Sequence, residues 1–372
     1  MTGSVTIFKV RGIEVRLHWT LVLVFLLVAW SLAGGYLPLE YPGMAPATRW
    51  AVGLVTSVLF FASILLHELG HARAAAREGT PVRSITLFIF GGVAEIGESA
   101  KTPGAEFRVA VGGPLVTLAL VVLFSVLDRL FAGVPVVDAP ARWLARINLV
   151  LLLFNLIPGF PLDGGRVLRA AVWQLTGSEQ RGWQAAFASG QIFAFALVGW
   201  GIWSIVQGDV GNGLWFALIG WFLQNAAAAE RASATLSRQL AGATVAQAMG
   251  LTVEPTIPSR TSVHEAVEEQ VLARGQGVFL VVDGGVPQGV VTLRDLTAVP
   301  RDRWDATPVS EVMTPWSRLQ RVAPGTDLMA ALHLMDAGRY GQLPVVDGDR
   351  LVGLLTREEV LHFLRLRSQV GG

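Results

Sequence analysis

The chain has 372 residues, 52% of them hydrophobic and 15% charged, with a mean hydropathy of +0.51. Soluble domains carry about 25% charged residues, so a wholly soluble globular protein is excluded, and a net charge of +1 leaves no basic surplus that would point to nucleic acid. Cysteine is absent, which excludes disulfides and thiolate metal ligands and leaves His, Asp and Glu as the possible ligands.

Hydrophobicity is concentrated before Ala229, and the remainder is soluble in character. Residues 5–10 alternate like a strand. The first apolar run, about residues 17–36, follows Lys9, Arg11 and Arg16 and lacks a small-residue cleavage site. It is expected to be a retained membrane helix, not a signal peptide. His18 stands at its start, a candidate for a place near a site, and Gly34, Gly35 and Pro38 are expected to end the helix. A second span, about residues 49–77, exceeds the ~20 residues that cross a bilayer. Residues 81–97 differ, because 83–90 are rich in β-formers and too few for a membrane helix. They are expected to be strand or re-entrant structure, broken by Gly91 and Gly92, and covered by protein or lining a wet cavity. A third span, about 106–130, contains Gly112, Gly113 and Pro114, which suit close helix approach. A fourth, about 144–157, stops at a segment with two prolines and three glycines. A polar helix over 166–175, a fifth span over 185–206 and a sixth over 214–229 follow. The expected fold class is a polytopic α-helical membrane protein of about six transmembrane helices, with a short β or re-entrant segment and a C-terminal α/β tail. Lys and Arg gather on the side holding Arg73, Arg77, Arg166, Arg169 and Arg231, so both termini are expected in the cytoplasm, with the lipid bilayer around the spans.

The second span carries His67-Glu68-Leu69-Gly70-His71. On a helix His67 and His71 lie one turn apart on one face, where two neutral imidazoles can grip one Zn²⁺ with Glu68 beside the open coordination position. No charged residue occurs between Ala51 and Leu66, and an ionisable group at the end of such a run is expensive unless it works.

From Ala243 onward the chain repeats itself. Val245 to Met249 echo Val309 to Met313, Val281-Val282-Asp283 echo Val345-Val346-Asp347, and Gly289 to Asp295 echo Gly353 to Glu359, always 64 residues on (309 − 245, 345 − 281, 353 − 289). A unit of that size is small for a lone domain, so the copies are expected to pack as a pair. The repeat resembles a tandem pair of CBS domains. That resemblance implies a module that either binds adenine nucleotide (ATP, ADP or AMP) or has a structural, dimerising role, with two chains pairing through it. It places Thr292 and Asp295 in the first copy, and Thr356 and Glu359 in the second, near phosphate and ribose, with Glu359 standing where the family has Asp. The expected partition is residues 1–242 for the membrane domain, 243–307 for the first copy and 308–372 for the second.

His67-Glu68-Leu69-Gly70-His71, together with Asn155-x-x-Pro158-x-x-Pro161-Leu162-Asp163-Gly164-Gly165-Arg166, resembles the site-2 protease family of intramembrane zinc metalloproteases. The likeness covers about residues 5–230. With the CBS pair it is similar to a bacterial and archaeal branch that includes a sporulation protease. It implies that Asp163 completes a zinc site with His67 and His71, that Glu68 is the general base, and that transmembrane or membrane-associated proteins are the substrates, cleaved near the cytoplasmic face of the cell membrane. Asn155 is expected either to contact the substrate or to cap the broken helix. The alternative is a CBS-regulated ion or metal transporter. A transporter would spread polar residues over several spans, whereas here they converge on one constellation.

Overall fold

The computed structural model describes residues 3–10, 12–80, 82–89, 91–96, 100–250, 256–273, 277–338, 340–348 and 350–370. Pro81, Phe90 and Gly97, at the limits of the expected strand segment, lie outside them, as does Arg11. The chain forms two compact units, Met1–Arg231 and Ala232–Gly372.

The first unit opens with a hairpin, β1 (Ser4–Val10) and β2 (Ile13–His18). Helix α1 (Thr20–Ser31) follows. It does not end at Gly34 and Gly35 as expected. A π-turn over Leu32–Tyr36 carries it into α2 (Leu37–Glu40) and accommodates Pro38, which has no amide proton to donate. Helix α3 (Pro46–Arg77) runs unbroken to the two histidines. It leads into β3 (Val82–Phe88) and β4 (Gly91–Ile96). Gly91 and Gly92 therefore open a second strand and do not terminate the sheet. The sheet order is β1-β2-β3-β4, with β2 parallel to β3 and the other pairs antiparallel. The parallel pairing needs a long crossover, and α1 to α3 supply it. Val82, Ile85 and Leu87 of the sheet bury against Ala72 and Ala75 of α3 and Val109 beyond.

Helices α4 (Pro103–Leu130), α5 (Pro135–Asn155), α6 (Asp163–Thr176), α7 (Glu179–Val206) and α8 (Val210–Leu240) complete the order. Helices α3 and α4 cross where Gly70 meets Gly112. A Cβ on Gly70 would stand 2.5 Å from the Gly112 carbonyl, and one on Gly112 2.7 Å from the Gly70 carbonyl, so the crossing needs both glycines. Among the described residues four helical stretches are long and apolar enough to cross a membrane: Thr20–Glu40, Pro46–Arg77, Pro103–Leu130 and Glu179–Val206. The expected fourth and sixth spans are helices α5 and α8 but fall outside that set. Asp138, Arg142 and Arg146 interrupt α5. Gln224 and Asn225 interrupt the apolar run of α8, whose helix continues in polar sequence to Leu240.

The second unit contains β5 (Thr256–Pro258), β6 (Val278–Asp283), β7 (Val286–Thr292), β8 (Thr314–Pro315), β9 (Gln342–Asp347) and β10 (Arg350–Thr356). The copies do pack as a pair, and they exchange segments. β8 belongs to the second copy in sequence yet pairs with β7 of the first, Thr314 opposite Val290. Sixty-four residues away in each partner, Gly250 of the first copy bridges Leu354 in β10 of the second. The cores follow suit. Val309 is buried with Ile257, Val263, Phe279 and Val291, while Val245 and Ala248 are buried with Leu328, Leu343 and Leu355.

Candidate metal centre

His67 and His71 project from the C-terminal part of α3 and are 8% and 5% exposed. Their ring planes stand at 81° with centroids 4.8 Å apart. Asp163, the first residue of α6, meets both: Oδ2 lies 3.1 Å from His67 Nε2 and Oδ1 3.1 Å from His71 Nε2. The two Nε2 atoms are 3.1 Å apart. One ligand atom from each residue falls within 4.8 Å of the others, a spacing that could hold a metal ion.

The outer ring nitrogens determine what faces inward. His71 Nδ1 lies 2.8 Å from the Val109 carbonyl, which can only accept, so this nitrogen carries the proton. The Gly113 amide approaches the same nitrogen at 3.3 Å, a longer and weaker alternative. His67 Nδ1 lies 2.8 Å from Thr117 Oγ1, whose hydroxyl reaches the Gly113 carbonyl at 3.4 Å. The proton then runs outward there too. Both Nε2 lone pairs and a carboxylate thus converge with no donor between them. Bare acceptors at that separation repel, and a divalent cation relieves the repulsion. Two imidazoles and one carboxylate fit zinc with one position left open.

Glu68 points to the sheet. A Cβ on Gly92 of β4 would lie 2.8 Å from Glu68 Cδ and 3.0 Å from Oε1, so only glycine lets the strand edge sit on that carboxylate. Gly113 plays the same part on the other side. A Cβ there would stand 2.7 Å from His67 Nε2 and closer still to His71 Nε2. The loop before Asp163 is held by Phe160, which donates its amide to the Ala186 carbonyl at 3.0 Å and stacks on Trp183 at 5.0 Å.

The structure brings His67, His71 and Asp163 together and sets Glu68 beside them. Asn155 ends α5, half-buried and before the loop, outside the three-residue cluster. His18 also stands apart. Its Nδ1 lies 2.8 Å from Thr20 Oγ1 where β2 passes into α1. In the tail, Thr292 and Asp295 face each other as a capping box. The Thr292 amide and hydroxyl donate to Asp295 Oδ2 at 2.9 and 2.7 Å, and the Asp295 amide donates back at 3.3 Å. Thr356 and Glu359 repeat the arrangement, with the Thr356 amide 2.8 Å from Glu359 Oε2. Burial pushes the Glu359 carboxyl up. Thr117, Val109, Gly113, Gly92 and Glu106 were not singled out by sequence as part of the site. A threonine four residues after Gly113 in an otherwise apolar run was the one available signal for Thr117.

A helical membrane unit with two histidines and an aspartate converging beside a glutamate defines the class, that of membrane-embedded metallopeptidases, here joined to a duplicated α/β tail. The family model described as Peptidase family M50 matches residues 55–139 and 131–198, and the CBS domain model matches 251–302 and 309–366. "Putative zinc metalloprotease Rip3" of Mycobacterium tuberculosis is 36% identical over 370 residues, 98% of this chain and 93% of that one. Zinc metalloprotease MJ0392 of Methanocaldococcus jannaschii is 36% identical over 171 residues, 46% of each chain. Among solved structures, a site-2 protease from Methanocaldococcus jannaschii is 28% identical, covering 61% of this chain and 94% of that one, with a TM-score of 0.42. The chain belongs to peptidase family M50: it is a zinc metalloprotease of the site-2 protease type with tandem CBS domains.

Proposed function

We propose that residues 1–242 cleave peptide bonds of transmembrane or membrane-associated proteins, at a zinc ion held by His67, His71 and Asp163. Zinc bound there supplies Lewis-acid polarisation of the scissile carbonyl and acidifies water. Glu68 takes the proton of the attacking water and passes it to the leaving amine. Asn155 donates to the substrate backbone or to the developing oxyanion. A transmembrane helix hides its carbonyls in hydrogen bonds, so the substrate unwinds and is read as an extended strand. The strand of the 83–90 segment, β3, is flanked on both sides, by β2 and β4, and cannot pair with substrate. The closeness of Gly92 to the Glu68 carboxylate supports entry along the edge strand β4 instead, where an added strand would carry its peptide bond past the base. The observation that carries the reading is the convergence of three ligand atoms within 4.8 Å with Glu68 alongside. Glu68→Gln tests it. The ligands remain, so zinc content is retained, while cleavage of a membrane-embedded peptide falls by at least about 10²-fold with loss of the acid–base group. Cleavage near the wild-type rate would overturn the mechanism.

The charge bias supports a multi-pass protein of the cell membrane with its N-terminus and tail in the cytoplasm. For the tail we infer adenine nucleotide binding between the copies at Thr292, Asp295, Thr356 and Glu359, with regulation of cleavage and pairing of two chains through the CBS domains. The matching Gly-h-h-Thr-x-x-acid stretches support this.

A further inference from the structure

Beyond Asp163, α6 enters a partly buried cluster of charge that the cleavage mechanism does not use. Glu106, in the first turn of α4, is 1% exposed. Its Oε1 accepts from Arg166 Nε at 2.9 Å, and its Oε2 lies 3.5 Å from Arg166 NH2. Arg169, 4% exposed, brings NH1 to 3.6 Å from the same Oε1, and its NH2 donates to Glu179 Oε1 at 3.2 Å. Trp183 Nε1 also donates to that Glu179 oxygen, at 3.1 Å. The Arg169 guanidinium lies 4.0 Å above the Trp183 ring, the ring on which Phe160 stacks. Two arginines and two glutamates make the cluster neutral.

A buried ion pair is a weak source of stability, since apolar replacements are often as good or better. What such a pair does provide is geometry, because the planar guanidinium fork fixes direction as well as distance. Arg166 and Arg169 lie three and six residues after Asp163, one and two turns along the same helix. Anchoring them to α4 and α7 fixes how far α6 is rotated about its axis, and so where its first side chain points. The anchor on α4 is one turn before Val109, whose carbonyl orients His71, and the same helix supplies Thr117 to His67. One helix therefore holds all three members of the cluster in a common frame.

We propose that Glu106 is a positioning residue: through Arg166 it holds Asp163 against the two Nε2 atoms and thereby sets the metal affinity of the site. This rests on the reading of His67, His71 and Asp163 as metal ligands. The test is zinc affinity of the full-length protein in detergent, by competition with a chromophoric chelator, together with the visible spectrum of the Co²⁺-loaded protein. Glu106→Gln should weaken zinc binding by about 10- to 100-fold, the usual effect of losing a partner behind a ligand, and should alter the Co²⁺ bands. Arg166→Lys keeps the charge but not the fork and should fall between. Arg166→Gln should resemble Glu106→Gln, and the double variant should be no worse than either single one, because the two act as one unit. If a single variant fails to fold, the double variant, which removes both charges of the Glu106–Arg166 pair and leaves Arg169 with Glu179, carries the measurement. Wild-type affinity and an unchanged Co²⁺ spectrum in Glu106→Gln or in the double variant would overturn the proposal, as would losses that add. Asp163→Ala separates the two levels. If it leaves zinc affinity intact, the ligand reading itself fails. If it abolishes binding while Glu106→Gln does nothing, only the positioning role fails.

Discussion

Gly113→Ala sets two effects of opposite sign against each other. The position is in the middle of α4, where alanine is favoured over glycine by about 1 kcal/mol. The added methyl carbon, however, arrives 2.7 Å from His67 Nε2, and ordinary contact begins at 3.4 Å, so that nitrogen must retreat by 0.7 Å (3.4 − 2.7). His71 Nε2 must retreat further. Neither ring moves freely, because each is tied from behind, to Thr117 and to the Val109 carbonyl. Metal–ligand distances tolerate about 0.2 Å, and a displacement near 1 Å costs about 10²-fold where geometry is decisive. The expected result is zinc binding weakened by about 10- to 100-fold, or about 1.4–2.7 kcal/mol, and cleavage reduced in step, while the metal-free protein gains less heat resistance than helix propensity alone would give, because the same clash is present without the metal. Gly199→Ala is the control, because nothing lies within 4 Å of its added carbon and the helix gain should appear alone. Elemental analysis of zinc, a thermal melt with and without chelator, and cleavage of a membrane-embedded peptide measure the three quantities. Full zinc content with wild-type cleavage in Gly113→Ala would refute the steric reasoning.

Asp163→Ala should lower zinc occupancy and cleavage together, because two imidazoles alone hold zinc poorly; unchanged occupancy by elemental analysis would remove Asp163 from the ligand set. Thr117→Val deletes the acceptor behind His67 at nearly constant volume and should weaken zinc binding by about 10-fold, whereas Thr117→Ser should restore it; equal affinities in the two variants would show that the hydroxyl plays no part. Thr292→Ala combined with Asp295→Ala should weaken nucleotide binding to the full chain in calorimetry and also lower its thermal midpoint through loss of a helix cap, worth about 1 kcal/mol. Absence of heat from millimolar ATP, ADP and AMP on the wild-type protein would leave both Thr–acid pairs as caps.

Four of the six expected spans and the paired histidines were legible because they are written in local periodicity: an uncharged run followed by two histidines four apart fixes a helix and a face. The 64-residue repeat was legible for the same reason. Helix ends were misread where a tertiary neighbour overrode local signals. Gly34, Gly35 and Pro38 look like a stop, yet the chain absorbs them in a π-turn because Ala33 and Leu37 are buried in the bundle. Gly91 and Gly92 look like a break, and become a strand because β3 offers its edge and Glu68 leaves room for no side chain. The orienting partners of the histidines could not be read at all. Val109 acts through its carbonyl, which is invisible in a side-chain pattern, Thr117 reaches His67 across the α3–α4 crossing that two glycines permit, and Glu106 acts from α4 on the arginines of α6.

The exchange of segments in the tail bears on how such a chain can be made and reshuffled. The hydrophobic residues of the first copy, Ile257, Phe279 and Val291, wait for Val309, and β7 waits for Thr314. A ribosome that has finished the first copy has therefore produced something with an open strand edge and an uncovered core, a sticky intermediate, until the opening residues of the second copy, through Thr314, have emerged. A stop codon between the repeats would leave an adhesive fragment in place of half a module. Recombination faces the same constraint: the tail can pass from gene to gene as one cassette of both repeats, but not one repeat at a time.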